Sequence, residues 1–330
     1  MATPTIDHPA VDTDELRRDL QGSGSWGDRG FTWLVVGSGA FVLLVLALIT
    51  ETMLQRSFKV WSHQGWSYFT SRVWDPPTQH YGILAFIWGT FYTAVIGLLV
   101  AVPISLGISL FITQVAPDWL KKTMVYIIDL VAVIPSVVIG LWGFLVLSQH
   151  LGGLYGWLSR TFDGWPILGH IFGPNPQTRS FLTAGLILAL MITPIIVSVS
   201  REVIDTTPQG EREAALALGA TKWEMIRGAV IPHSKGGLVG AIMLGLGRAM
   251  GETIAVALTI GSSLGVIAFN TLTSGNSMPA MITAEWGEAD ELKKSALIAM
   301  ALTLFVMTII VNVIATSVVQ RSQLKSRGKV

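Results

Sequence analysis

The chain of 330 residues contains no cysteine. This absence excludes disulfide bonds, thiolate metal sites and a cysteine nucleophile. The six histidines are scattered, and no pair has the spacing of zinc ligands on one helix, so no metal site is predicted. The Gly-x-Ser-x-Gly elbow and the paired carboxylates of hydrolases are also missing, so we expect no enzymatic activity within this chain.

Charged residues are scarce as well. They make up 13% of the chain, about half the share found in soluble domains, whereas 51% of the residues are hydrophobic. Such a composition leaves too little polar surface to face water on every side, so the lipid bilayer is the expected solvent. The net charge of +1 provides no basic field, and no nucleic-acid partner is predicted.

Long apolar runs are present instead. They predict an all-α, polytopic membrane protein with six transmembrane helices. The second run exceeds the ~20 residues that span the hydrocarbon core, so Pro103 predicts either a kink or a helix that protrudes into the cytosol. Pro135 lies in the middle of the third run. The six runs are 31–50, 82–115, 124–148, 181–200, 237–268 and 295–319.

Lysine and arginine are distributed unevenly between the polar segments. Segments 51–81, 149–180 and 269–294 carry about half as many of these residues as the remaining polar segments. Because basic loops stay in the cytosol, this bias predicts that both termini are cytoplasmic and that these three segments face outward. The acidic residues Glu285, Glu288, Asp290 and Glu291 predict a solvated outer rim that suits docking of an external protein.

The polar segment 201–236 predicts a helix–turn–helix between the fourth and fifth spans. Pro208 is suited to a helix start, and Gly219 supplies the left-handed residue that ends a helix. A second amphipathic helix follows, which Pro232 is predicted to stop. Small alanine side chains on the first helix allow another surface to approach closely.

These residues carry a family resemblance. Glu213, Ala214 and Ala215, followed by Gly219 and Pro232, resemble the EAA loop of ABC-importer permeases. In that family the loop is a coupling helix seated in a groove of the ATPase subunit. The resemblance therefore implies that segment 201–236 contacts an ATPase.

A phosphate-binding loop is missing from the sequence. No Gly-rich loop ends in Gly-Lys-Ser or Gly-Lys-Thr, so no cofactor is expected in this chain, and ATP and Mg²⁺ are expected on a partner ATPase. Six helices also make a thin bundle around a pathway, so we expect a second permease subunit.

Arg248 and Glu252 lie within the fifth apolar run. The spacing of four residues predicts that they share one helical face and pair. Arginine binds oxyanions through two parallel hydrogen bonds, so one interpretation is a polar lining of a transport pathway. The other interpretation is a structural ion pair between helices.

A second resemblance covers residues 82–320. GLGRAMGETIAV (245–256) and IPSVVIGLWGFLVL (134–147) resemble phosphate-specific ABC permeases. The resemblance implies an ABC type-1 importer permease fold, transport roles for Arg248 and Glu252, and a bacterial inner-membrane location. It also implies three kinds of partner: a homologous permease subunit, an ATPase dimer and an extracytoplasmic phosphate-binding protein.

The implied organisation has four parts: a polar cytoplasmic tail (1–30), a first transmembrane helix (31–54), the permease core (82–320) and a cytoplasmic C-terminal tail (321–330). Three alternatives stay open: an ABC permease for sulfate, molybdate or phosphonate, a membrane enzyme, and a passive channel or scaffold. Arginine serves all of these oxyanions equally well, so the residues alone do not choose among them.

Overall fold

The computed structural model describes residues 26–327, with side chains for residues 26–317. The chain divides into two compact units, Met1–Leu54 and Gln55–Val330. The described residues of the first unit are helical and belong to α1 (Trp26–Gln64). Most of the predicted tail 1–30 therefore lies outside the described residues, and residues 26–30 begin α1 instead of remaining in a polar tail.

The described part of the second unit is mostly helical. Its strands β1 (Trp74–Asp75) and β2 (His80–Tyr81) form a short antiparallel hairpin, with Trp74 opposite Tyr81. The helices after α1 are α2 (Ser67–Thr70), α3 (Leu84–Leu110), α4 (Asp118–Val133), α5 (Ser136–Trp142), α6 (Ser148–Thr161), α7 (Leu168–Ile171), α8 (Phe181–Asp205), α9 (Gln209–Ala217), α10 (Lys222–Met225), α11 (Ile231–Gly251), α12 (Ile254–Thr259), α13 (Met278–Glu285) and α14 (Glu291–Arg327). π-Helical turns at Phe111–Val115, Gly143–Leu147 and Ile226–Val230 extend α3, join α5 to α6 and join α10 to α11.

Six helical segments of the described chain are long and apolar enough to cross a membrane, which confirms the predicted number. They are Trp26–Gln64, Leu84–Val115, Ser136–Thr161, Phe181–Asp205, Lys222–Gly251 and Glu291–Ser317. The backbone of α14 stays helical to Arg327, so the predicted tail 321–330 is helical over most of its length.

The third span differs from its prediction. The run 124–148 is not one helix, since Pro135 separates α4 from α5. Proline forces the preceding residue, Ile134, into an extended conformation (ψ 126°). The spanning segment begins at Ser136 and continues to Thr161, well into the segment predicted as an outer loop.

The core of the second unit lies between α3 and α8. A Cβ placed on Gly185 would lie 2.4 Å from Cγ2 of Ile96, and one on Gly97 would lie 3.0 Å from Cβ of Leu188. The two glycines therefore allow the backbones of α3 and α8 to approach each other closely, as small residues do between membrane helices. The fully buried Ile192 and Ile196 extend this core toward α11.

The predicted outer segment 51–81 contacts the start of the sixth apolar run. The Tyr68 hydroxyl donates a hydrogen bond to the carbonyl of Ala296 at 2.7 Å, and burial raises the pKa of Tyr68, which keeps this donor protonated. Lys121 and Asp205, from two of the predicted cytosolic segments, instead approach each other at 3.7 Å. The alternation of segments predicted from the charge bias is thus compatible with the fold.

Candidate functional site

The predicted coupling helix is present as α9. Pro208 occupies the N-cap position with extended backbone (ψ 136°), as its fixed φ favours. The helix ends at Ala217, and Gly219, two residues later, has the predicted left-handed conformation with a φ of +85°. The amide of Ala220 donates to the carbonyl of Ala215 at 3.2 Å, and that of Gly219 donates to Leu216 at 3.0 Å. These two bonds form a Schellman motif, which defines the end of α9 sharply.

Two contacts attach α9 to the membrane helices. Nη2 of Arg212 donates a hydrogen bond to the carbonyl of Ile204, at the end of α8, at 2.8 Å. Ala215 packs against a cluster that includes the buried side chains of Met225 and Val230. Helix α9 is therefore attached to α8 by a charged hydrogen bond and to α10 and the following π-helical turn by apolar contacts.

The helix after the turn is capped as its sequence favours. The Thr221 hydroxyl accepts a hydrogen bond from the amide of Glu224 at 3.3 Å, and the Glu224 carboxylate accepts one from the amide of Thr221 at 2.8 Å. The prediction that Pro232 stops this helix is wrong. Pro232 lies in the first turn of α11, where the missing N–H costs little, and the helical path runs from Lys222 to Gly251.

The α9–α10 turn presents an exposed surface. Glu213, Ala214 and Gly219 are exposed, with Glu213 also accepting a hydrogen bond from Gln209 at 2.7 Å. Two apolar side chains that the sequence reasoning did not select for docking lie beside them: Leu218 is 90% exposed and Trp223 is 60% exposed. The sequence signal that could have identified them is an apolar residue within an otherwise polar segment that is predicted to be cytosolic. Exposed apolar groups rimmed by polar ones are typical of a protein-binding surface.

The helix that carries Arg248 is broken beside it. Helix α11 ends at Gly251, Glu252 is extended (φ −70°, ψ 130°), and α12 begins at Ile254. The predictions of a continuous span 237–268 and of a shared helical face for Arg248 and Glu252 are therefore wrong. The break places Arg248 in the last turn of α11, where the helix dipole favours a cation.

The two charged side chains have different surroundings. Arg248 is exposed on α11, whereas Glu252 is half-buried and lines a narrow crevice that has no room for a water molecule. Hydroxyl-bearing residues of other elements, Thr90, Thr93 and Ser277, line the same crevice. Among the side chains of residues 26–317, neither Arg248 nor Glu252 has a hydrogen bond or ion pair with another residue. The predicted ion pair is thus absent from the described chain.

The break at Glu252 lies near the break at Pro135. A Cβ on Gly140, in α5, would lie 2.7 Å from Cα of Ala255, in α12, so the two short helices touch directly. Two interrupted helices side by side leave backbone polar groups at the same level, which membrane proteins tolerate where the backbone is buried in protein or lines a cavity.

The acidic rim is only partly as predicted. Glu288, Asp290 and Glu291 are exposed, and Asp290 and Glu291 line an open crevice together with Lys59, His63 and Gln79. Glu285 forms a salt bridge with Lys293, which is only 7% exposed. Glu285 is therefore a partner of a buried cation and not a free rim charge.

Comparisons with known proteins agree with this architecture. The family model described as binding-protein-dependent transport system inner membrane component matches residues 104–323. In a bacterial alginate ABC transporter, solved with a periplasmic protein bound to an alginate pentasaccharide, one chain superposes with a TM-score of 0.58 at 16% identity. That match covers 91% of this chain and 99% of the other. At this identity the likeness concerns the fold alone, and it confirms the predicted ABC importer permease fold.

Curated relatives are more similar in sequence. The phosphate transport system permease protein PstC of Xylella fastidiosa is 40% identical over 90% of this chain and 91% of its own length. PstC of Haemophilus influenzae is 39% identical, with coverages of 92% and 96%, and PstC 2 of Mycobacterium tuberculosis is 34% identical, with coverages of 96% and 98%. The chain therefore belongs to the family of binding-protein-dependent transport system inner membrane components and, within it, to the PstC phosphate transport system permease proteins.

Proposed function

We propose that this chain is the transmembrane permease subunit of an ATP-driven importer of inorganic phosphate. It is a multi-pass membrane protein, and we place it in the bacterial cytoplasmic (inner) membrane with both termini in the cytosol. The names of the curated relatives support the substrate. The lysine and arginine bias supports the orientation.

The observation that carries the proposal is the exposed side chain of Arg248 on an apolar membrane helix. A cation at such a position is expensive, at least about 2.5 kcal/mol on insertion scales, unless a partner or water receives it. The described chain provides no anionic partner, since Glu252 lies beyond the helix break. We propose that the pathway between this chain and a sister permease receives Arg248, and that a passing phosphate is its transient anionic partner.

Glu252 has a second role in this proposal. Its carboxylate, in the crevice with Thr90, Thr93 and Ser277, lies one residue beyond the end of α11. A carboxylate there repels a fully charged anion and accepts a hydrogen bond from a protonated one. Arg248 and Glu252 together therefore suit an oxyanion that carries a proton. Phosphate carries a proton at neutral pH, whereas sulfate does not.

The coupling loop supplies the connection to ATP. We propose that Glu213, Ala214, Ala215, Gly219 and Pro232 belong to the element that contacts a PstB-like ATPase dimer, with ATP and Mg²⁺ bound there. Leu218 and Trp223 are the exposed apolar anchors of that contact. A PstA-like permease would complete the pathway, and a PstS-like binding protein would deliver phosphate to the outer end.

The mechanism follows from these attachments. Closure of the ATPases on ATP pushes α9, and the Arg212–Ile204 bond transmits that push to α8. Helices α8 and α11 then move against the sister subunit, so the bundle changes from inward-facing to outward-facing. Phosphate released by the binding protein passes Arg248 and leaves to the cytosol after hydrolysis.

The test is ATP-dependent uptake of labelled phosphate by proteoliposomes that contain this chain, the sister permease, the ATPase and the binding protein. We expect uptake to be blocked by excess phosphate but not by sulfate, and to be lost in Arg248→Ala with the complex still assembled. Uptake blocked by sulfate, molybdate or phosphonate would reassign the substrate. Uptake that survives Arg248→Ala would remove this residue from the pathway.

A further inference from the structure

Hydrogen bonds join two segments at the predicted outer end, which we call the seam: residues 171–182, before and at the start of α8, and residues 257–275, from the end of α12 onward. The amide of Thr271 donates to the carbonyl of Ile171 at 2.8 Å, and the amide of Leu182 donates to the carbonyl of Thr271 at 2.8 Å. The amide of Gln177 donates to the carbonyl of Leu272 at 2.8 Å, and its side-chain oxygen accepts from the amide of Ser274 at 3.2 Å. The predicted outer loop before α8 is thus bonded to the chain that follows α12.

Arg179 extends the seam to α12 itself. Its Nε donates to the carbonyl of Leu258 at 3.1 Å, and its Nη2 donates to that of Ala257 at 3.5 Å. These carbonyls belong to the last turn of α12. Because α12 ends at Thr259, no N–H group within the helix donates a hydrogen bond to them. A cation at this end also complements the helix dipole.

The guanidinium contacts the third span as well. Its central carbon lies 5.1 Å from the ring centre of Phe144, a cation–π geometry. Phe144 belongs to the π-helical turn that follows α5, and α5 is the helix that touches α12 at Gly140. Arg179 therefore connects the outer loop, α12 and the third span at one point.

Helix α12 has only six residues, so its two ends are closely linked. Glu252 lies just before its first residue, and Arg179 binds its last turn. Val256, which is 2% exposed, lies between them and lines the same crevice as Glu252. A displacement of α12 at the Arg179 end must move the Glu252 end, because a helix this short moves as a rigid piece.

We propose that Arg179 is a positioning residue that latches α12 to the seam and so keeps the Glu252 crevice closed toward the outer side. Release of the two α12 carbonyls opens the crevice to the outside. The loop before α8, which the binding protein can reach, thereby controls access to the pathway. The inference rests on the proposed function for the direction of transport, whereas the latch itself rests only on the contacts of Arg179.

The absence of native cysteine provides a direct test. Val256→Cys places a near-isosteric thiol in the crevice, and a membrane-impermeant maleimide applied from the outer side to the assembled complex, without ATP, measures its accessibility. We expect Arg179→Gln to raise the labelling rate about tenfold, as loss of charge-assisted hydrogen bonds implies, and Arg179→Lys to raise it less. Arg160→Gln is the matched control, because Arg160 is exposed at the end of α6.

Equal labelling rates in Arg179→Gln and Arg160→Gln would overturn the latch and leave Arg179 as a static helix cap. If Arg179→Gln does not assemble, Phe144→Leu decides the matter, since it removes the ring under the guanidinium and keeps the arginine. It should raise labelling about threefold, in line with a single cation–π contact, and an unchanged rate would overturn the proposal. Phosphate uptake measured in parallel distinguishes a failure of the proposed substrate from a failure of the latch. If the parent complex does not take up phosphate, the substrate assignment is wrong, but the labelling rates still test the role of Arg179.

Discussion

Nη2 of Arg212 donates a hydrogen bond to the carbonyl of Ile204 at 2.8 Å, which ties the proposed coupling helix α9 to the end of the membrane helix α8. Ile204 is buried and Arg212 is half-buried, so the bond is shielded from water on one side. A charged hydrogen bond of this kind contributes about 1.5–3 kcal/mol. It is the polar part of the connection through which a push on α9 would reach the bundle.

Arg212→Ala should therefore uncouple ATP hydrolysis from transport. We expect phosphate uptake to fall at least about fivefold while ATP hydrolysis by the complex persists, because the loss of ~1.5–3 kcal/mol loosens the attachment of α9 without unfolding the bundle. Uptake and hydrolysis measured on the same proteoliposomes check this. Arg227→Ala, an exposed arginine after α10, serves as the control, and an equal loss in both variants would contradict the assignment.

The turn at Gly219 offers a second prediction. Valine is strained at a φ of +85°, at a cost of about 1–2 kcal/mol, so Gly219→Val should distort the α9–α10 turn and reduce uptake while membrane insertion stays normal. Gly210→Val is the control, because Gly210 lies within α9 with open space around its Cα.

Glu213→Lys should also reduce uptake by reversing a charge on the exposed docking face. Normal transport in both Gly219→Val and Glu213→Lys would remove the coupling role.

Arg248→Lys tests how the arginine acts. Lysine keeps the positive charge but loses the planar pair of donors, so we expect KM for phosphate to rise about tenfold with a smaller change in kcat. The measurement is uptake across a range of external phosphate concentrations with saturating binding protein. Leu244→Ala, an exposed position one turn earlier on α11, should leave both constants within about twofold. An unchanged KM in Arg248→Lys would mean that only the charge matters.

Glu285 and Glu288 are close in sequence but differ in environment. Glu285→Gln leaves Lys293, which is 7% exposed, without its counter-charge, so we expect the free energy of unfolding to fall by about 3 kcal/mol and the melting temperature to fall with it. Glu288→Gln should leave the melting temperature unchanged, because Glu288 is exposed. Thermal unfolding of the two variants in detergent is the measurement, and equal melting temperatures would contradict the structural role of Glu285.

The remaining rim charges predict a docking effect. Neutralising Glu288, Asp290 and Glu291 together should weaken uptake that depends on the binding protein by raising the concentration of binding protein needed for half-maximal rate. The shift should shrink as salt is added, since exposed charges are screened over about 8–10 Å at physiological ionic strength. Unchanged dependence on the binding protein would remove the rim from the docking surface.

Local features of the fold were predictable from sequence. The long apolar runs indicated six spanning helices, because only a helix satisfies its own backbone in lipid, and six are present among the described residues. Pro208 and Gly219 marked the two ends of α9 correctly, since each acts through its own backbone geometry. The family resemblance, the permease fold and the EAA loop were likewise carried by contiguous residues.

Features that depend on contacts between distant segments could not be predicted from the sequence. Proline in an apolar run indicates a perturbation, but whether Pro135 kinks a helix or separates two, and whether Pro232 ends a helix or begins one, depends on what packs beside it. The same holds for Glu285, whose partner Lys293 is recognised only once burial is known.

The sequence by itself determined that this is a membrane permease with six spanning helices among its described residues and a helical turn that resembles the EAA loop, because hydrophobic length, cap residues and a contiguous motif are local properties of the chain. Only the tertiary structure decided that Arg248 and Glu252 are parted by a helix break and that Arg179 holds the far end of α12. The physical reason is that α12 is held by α5 near its first residues and by Arg179 near its last, and these contacts join residues more than a hundred positions apart for α5 and about eighty for Arg179.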